Sequence, residues 1–169
     1  MHPTVIAGPY LADLLAQPDA LRAVRLGLAR LKPLEELAAS VRERRYRRVV
    51  LTGMGSSLHA LYPLHLRLGA CGLDSFLVET SELLIEHERL RARDSLLVAV
   101  SQSGESAEIV GLMRKAAEIG HIIGVTNYPA STLGRVAGTV VPLHAGVEST
   151  VSCKTYLNTL AAQIGRAHV

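Results

Sequence analysis

The hydrophobic rhythm of the chain changes near residue 47. Before that point apolar residues recur at helical spacing. Tyr10, Leu11, Leu14 and Leu15 share one face, as do Leu21, Val24, Leu28 and Leu31. Pro18 before Asp19 and Pro33 after Lys32 punctuate residues 9–46 into short helices. After it, short apolar runs alternate with amphipathic stretches. The pattern predicts strands over Arg48–Thr52, Ser75–Glu79, Ser95–Val100, His121–Thr126 and Gly138–Leu143. Between them it predicts helices from Ser57 to about Gly69, from Ser81 to about Glu88, and over Glu105–Glu118 with Gly120 closing the last. Ser131 caps a short helix through Val136 after the loop Asn127–Ala130, and Cys153–Ala162 opens a final helix. Apolar strands alternating with helices argue a parallel sheet covered on both faces. The expected fold is an α/β doubly wound five-stranded sheet of order 2-1-3-4-5.

That topology directs attention to two loops. Ligands of open α/β sheets bind beyond the carboxyl ends of the strands, where the strand order reverses. With order 2-1-3-4-5 the reversal falls between the first and third strands. Their ends carry Gly53-Met54-Gly55-Ser56-Ser57 and Ser101-Gln102-Ser103-Gly104-Glu105-Ser106. Glycine lets backbone approach a ligand closely. The hydroxyls of Ser57, Ser101, Ser103 and Ser106 can donate to phosphate oxygens, and Gln102 can bond a sugar hydroxyl. Free N–H groups where strand meets helix favour an anion without any cationic side chain, and none occurs in Val98–Val110. The alternative is that Ser57 and Ser103 merely cap helices. A dinucleotide reading of Gly53 and Gly55 fails at its third glycine position, which is Leu58, although Glu79 stands where a ribose ligand would.

Composition narrows the class. At 169 residues the chain is one domain with room for a full core, 49% hydrophobic and only 4% aromatic. No membrane span or signal peptide is present in the pattern, and Cys71 and Cys153 make neither a disulfide framework nor a metal motif. A cytoplasmic protein without cofactor or metal is expected. The net charge of +3 is mild and sits mostly in Arg42–Arg48, read as a solvated helix end rather than a nucleic-acid surface. His59 and His65, six apart, lack metal spacing. His144 near Glu148 reads as acid–base chemistry or as a polar loop. Lys154 at a helix start opposes the dipole, so it points at a phosphate or carboxylate, or pairs with Glu148.

The motifs together resemble the sugar isomerase (SIS) domain family, in particular the first SIS domain in the isomerase half of the glutamine–fructose-6-phosphate aminotransferases. Gln17-Pro18-Asp19-Ala20-Leu21 resembles the family's leading helix, and Gly53-Met54-Gly55-Ser56-Ser57 its Gly-x-Gly-Thr/Ser-Ser loop. Ser81-Glu82 resembles its Ser-Glu-Phe segment. Ser101–Ser106 resembles its Ser-Gln-Ser-Gly-Glu-Thr signature with Ser for Thr. Asn127, Ser131-Thr132-Leu133, Ala145-Gly146-Val147-Glu148 and Val151 to Lys154 follow in the family's order. The resemblance implies that Ser56, Ser57, Ser101, Gln102, Ser103 and Ser106 line a sugar-phosphate pocket, with Val151 and Ser152 near the sugar. Gly53, Gly55, Gly104, Glu148 and Lys154 would support it.

It also implies an aldose–ketose isomerase, or an aminosugar-phosphate isomerase or deaminase, built from two tandem SIS domains. The catalytic base would then lie in the second domain. The segment from Glu148 to Lys154 is one residue shorter than in the aminotransferases, and no glutaminase domain is present, so ammonia transfer is not implied. The expected organisation is N-terminal helices over 1–47, the SIS domain over 48–163, and a non-native tail over 164–169. That tail breaks the helical period at Gly165 and matches one reading frame of a common sequencing adapter. A homo-oligomer or pairing with a second SIS domain is expected. A non-catalytic sugar-phosphate sensor is the alternative; residues 1–46 are too short for a helix-turn-helix plus the leading helices.

Overall fold

The structure, a computed structural model, describes residues 8–29, 31, 33–148 and 151–164. The tail expected over 164–169 lies outside these residues except for the backbone of Ile164. Helices α1 (Pro9–Leu15), α2 (Gln17–Leu28) and α3 (Pro33–Arg42) precede the sheet. Then come β1 (Arg48–Gly53), α4 (Ser56–Ala60), α5 (Tyr62–Ala70), β2 (Ser75–Glu79) and α6 (Thr80–Ile85). β3 (Ser95–Val100), α7 (Ala107–Met113), β4 (His121–Thr126), α8 (Thr132–Val136), β5 (Thr139–Pro142) and α9 (Cys153–Ile164) complete the fold.

All neighbouring strands pair parallel, in the order β2-β1-β3-β4-β5. β3 is central and every residue of it is buried. Its side chains alternate between two cores, as strand geometry requires. Leu96, Val98 and Val100 join Val24, Leu28, Leu37, Val49 and Leu51 on one face. Leu97 and Ala99 join Val50, Ile109, Leu112 and Leu133 on the other. Pro142 is tolerated because β5 is an edge strand.

Three predicted helices differ from the structure. The one expected from Ser81 to about Glu88 is α6, which ends at Ile85 and gives way to a 3-10 turn over Glu88–Leu90. The helix expected from Ser57 to Gly69 is split at Leu61 into α4 and α5. Pro63 cannot donate to a preceding turn, so it opens a new helix instead. The helix expected over Glu105–Glu118 starts at Ala107, because Ser106 takes the N-cap, and ends at Met113. A 3-10 turn over Ala116–Glu118 replaces its last turn. That turn buries Ile119 and brings Gly120 against the loop before β3, where a Cβ would lie 2.2 Å from the Arg93 carbonyl oxygen.

Two helix ends share one hydrogen-bond pattern. At α5, Leu73 N–H donates to Leu68 O (3.0 Å) and Gly72 N–H to Gly69 O (2.9 Å), with Gly72 at φ 71°. At α3, Arg45 N–H donates to Ser40 O (3.0 Å) and Arg44 N–H to Val41 O (3.1 Å), with Arg44 at φ 55°. The left-handed residue of this motif is ordinarily glycine. Arg44→Gly should therefore stabilise the fold by about 0.5–1 kcal/mol, raising the melting temperature by roughly 1–4 °C. An unchanged or lowered melting temperature would refute the strain.

Candidate ligand crevice

β1 and β3 end side by side, with Gly53 in register with Val100. The two glycine–hydroxyl loops leave from these adjacent ends. In the first, Gly55 at φ 51° turns the chain into α4. A Cβ at Gly53 would lie 2.9 Å from the Leu58 backbone nitrogen, so the returning helix requires glycine there. Ser56 is exposed and Ser57 half-buried in the first turn of α4. Neither hydroxyl caps that helix.

The second loop is cross-braced. Ser101 N–H donates to Val125 O (3.0 Å), tying it to β4. Ser101 Oγ accepts from Gly104 N–H (3.1 Å), Ser103 Oγ from Glu105 N–H (3.2 Å), and Ser106 Oγ from Ile109 N–H (3.4 Å). In each of these bonds the hydroxyl is the acceptor, so its own proton remains able to donate. Capping and anion contact are therefore compatible, and the two readings of these serines do not compete. Gly104, at φ 64°, backs onto α8; a Cβ there would lie 2.0 Å from Ser131 Oγ. Glu105 takes the Thr132 amide N–H (2.5 Å) and hydroxyl (2.8 Å). The amide bond, then the hydroxyl bond and Arg135, hold the Glu105 carboxyl below its ordinary pKa despite slight desolvation.

A third segment, ahead of α9, closes one side. Asn127 fixes it through Nδ2–H to Gly146 O (2.6 Å) and through Oδ1 accepting from Ala145 N–H (2.8 Å). Gln102 Nε2–H donates to Glu148 Oε2 (2.8 Å), and Ser152 Oγ–H donates to Gln102 Oε1 (3.1 Å). Glu148 Oε1 also accepts the backbone N–H groups of Lys154 (2.6 Å) and Thr155 (3.2 Å), and its Oε2 accepts the Thr155 hydroxyl. Glu148 thus caps α9. Val151 is 60% exposed.

Lys154 pairs with Asp13, not with Glu148. Its Nζ lies 2.9 Å from Asp13 Oδ1 and donates to Val147 O (2.8 Å), with both side chains more than nine-tenths buried. Sequence reasoning missed Asp13, although it is the only charged residue in the apolar run of α1. Other candidates fall outside the crevice. His144 Nε2 would lie 2.7 Å from a Cβ at Gly27, so that ring packs on α2. His65 Nδ1 contacts Ser75 Oγ (2.8 Å). Among the described residues no His, Cys, Asp or Glu group has metal-site geometry. A cavity of about 600 Å³ lined by Glu36, Tyr46, His121 and Thr139 opens at the amino ends of β4 and β5, the opposite end of the sheet. Burial there pushes the His121 pKa down.

The fold and both loops now stand beside a family pattern. The SIS domain matches residues 43–163, most of the chain. This chain belongs to the SIS-domain family. The glutamine–fructose-6-phosphate aminotransferase (isomerizing) of Pyrococcus horikoshii is 33% identical over 166 residues, 92% of this chain and 27% of that protein. Arabinose 5-phosphate isomerase KpsF of Escherichia coli is 33% identical over 122 residues, 70% of this chain and 38% of that protein. The chain therefore spans well under half the length of these curated relatives. The C-terminal domain of glucosamine-fructose-6-phosphate aminotransferase from Francisella tularensis shares the fold, with a TM-score of 0.79 at 22% identity, over 95% of this chain and 46% of that one. No helix of the described residues is long and apolar enough to cross a membrane.

Proposed function

We propose that this SIS domain grips a sugar phosphate at the carboxyl ends of β1 and β3. One observation carries the reading: two hydroxyl-bearing loops converge on adjacent strand ends at the switch point, in a family whose relatives include a sugar-phosphate isomerase. Ser56, Ser57, Ser101, Ser103 and Ser106 would donate to the phosphate, with Gln102, Val151 and Ser152 beside the sugar. The domain would supply anchoring and orientation, which lower a barrier by positioning. The full protein would be a tandem-SIS aldose–ketose isomerase or an aminosugar-phosphate isomerase or deaminase of the cytoplasm. Pairing with a second SIS domain or a second copy would complete the site. Exposed Val147 and Val151, flanking the crevice, support such a paired face.

Titration of the purified chain with fructose 6-phosphate and glucose 6-phosphate tests this. Saturable binding is expected, and both Ser101→Ala and Ser103→Ala should weaken it about 10- to 150-fold, as loss of a hydrogen bond to a charged group does. Absence of saturable binding, or indifference to both substitutions, would sink the proposal.

A further inference from the structure

Glu148 bonds Gln102, a residue proposed to lie beside the sugar, and its obvious role would be proton transfer. Its hydrogen bonds argue otherwise. A carboxylate offers about four acceptor positions. Gln102 Nε2, the Lys154 amide, the Thr155 amide and the Thr155 hydroxyl supply four donors. Taking up a proton would displace one of these bonds, and two of them hold the amino end of α9.

What these bonds accomplish is directional. A side-chain amide is ambiguous in orientation unless a neighbour distinguishes its two ends. Glu148, ionised, can only accept, so the Gln102 –NH2 must face it. The Gln102 carbonyl then faces Ser152, whose hydroxyl donates to it at 3.1 Å. Each end of the amide keeps one unused capacity, an N–H and an oxygen lone pair. The Gln102 backbone is fixed too, its carbonyl accepting from Asn127 N–H (3.0 Å) and Thr126 Oγ1–H (3.1 Å). The Gln102 side chain is thus held between the serine loop and the head of α9.

We infer that Glu148 is a positioning residue: it orients the Gln102 amide toward the sugar and so sets selectivity among sugar phosphates without contacting the phosphate. This rests on the sugar-phosphate reading above. The two claims separate experimentally, because inorganic phosphate probes the serine grip alone.

The experiment titrates the full chain and its variants with inorganic phosphate, fructose 6-phosphate and glucose 6-phosphate. The parent should bind at least one sugar phosphate more tightly than phosphate. Glu148→Gln keeps the side-chain size but lets the Gln102 amide turn over. It should leave phosphate affinity within about twofold and weaken the preferred sugar phosphate about 5- to 20-fold. Gln102→Ala should show the same selective loss, and adding Glu148→Gln to it should cost nothing more, since coupled residues are non-additive. Parallel loss of phosphate and sugar-phosphate affinity, no loss at all, or full additivity overturns the inference. So does a parent that binds sugar phosphates no more tightly than phosphate. A parent that binds neither overturns the sugar-phosphate reading itself. Should Glu148→Gln fail to fold, Thr155→Val removes one tether of the carboxylate while leaving its charge. The same selective loss is then expected, and its absence overturns the inference.

Discussion

Asp13→Ala should destabilise the protein by about 3–5 kcal/mol, the range for breaking a buried ion pair from one side. Lys154 is 6% exposed, and removal of Asp13 leaves its ammonium with the Val147 carbonyl as the remaining partner. Desolvation, not the lost attraction alone, sets the size of the effect. For a domain of this length it corresponds to a fall of roughly 10 °C in melting temperature. The control is decisive in sign. Asp13→Leu combined with Lys154→Met replaces the pair with apolar volume and should recover most of the loss, because paired burial of charge is near neutral overall. A melting temperature for Asp13→Ala within about 2 °C of the parent would show that Lys154 finds water or another partner. The pair also reaches the crevice: Lys154 holds the Val147 carbonyl, one residue from Glu148. Asp13→Ala should therefore weaken sugar-phosphate binding even at temperatures where the fold is intact.

The sheet was legible because each strand is a compact apolar run bounded by turn residues. β2, β3 and β4 match the predicted ranges residue for residue, and the order β2-β1-β3-β4-β5 is the expected one. Helix extents were less legible, since they depend on contacts made elsewhere. The end of α7 at Met113 carries no glycine or proline signal; a 3-10 turn follows, and Gly120 then passes close to Arg93. The site divides the same way. The serine loops could be read directly, as glycine and hydroxyl residues where apolar strands stop. The partner of Lys154 could not, because α1 meets α9 only in the folded chain, bringing Asp13 to a lysine near the other terminus. Gln102, Glu148 and Ser152 were each singled out, but periodicity does not reveal that they form one chain of hydrogen bonds.

Gly104→Ala should abolish measurable sugar-phosphate binding and destabilise the fold by about 2–4 kcal/mol, the upper range for single substitutions. Two penalties coincide at this position. The backbone sits at φ 64°, where a side chain costs about 1 kcal/mol. The added Cβ would also fall 2.0 Å from Ser131 Oγ and 2.7 Å from Ser131 Cβ, inside any tolerable contact. Ser131 cannot simply turn away, because its hydroxyl caps α8 by accepting from Gly134 N–H (3.3 Å). The loop must move instead, and the Gly104 amide is what Ser101 Oγ receives. Displacing it misdirects the Ser101 hydroxyl together with its neighbours. Ser131→Gly in the Gly104→Ala background separates the two penalties: it removes the Ser131 clash, at only about a few tenths of a kcal/mol for the lost α8 cap, and leaves the backbone cost and a 3.0 Å approach to Thr126 Oγ1. Stability should then rise above that of Gly104→Ala alone, with binding partly restored. If Ser131→Gly gives no recovery, the contact between loop and α8 is not what shapes the cradle. If Gly104→Ala binds as the parent does, the Ser101–Ser106 geometry is not what grips the ligand.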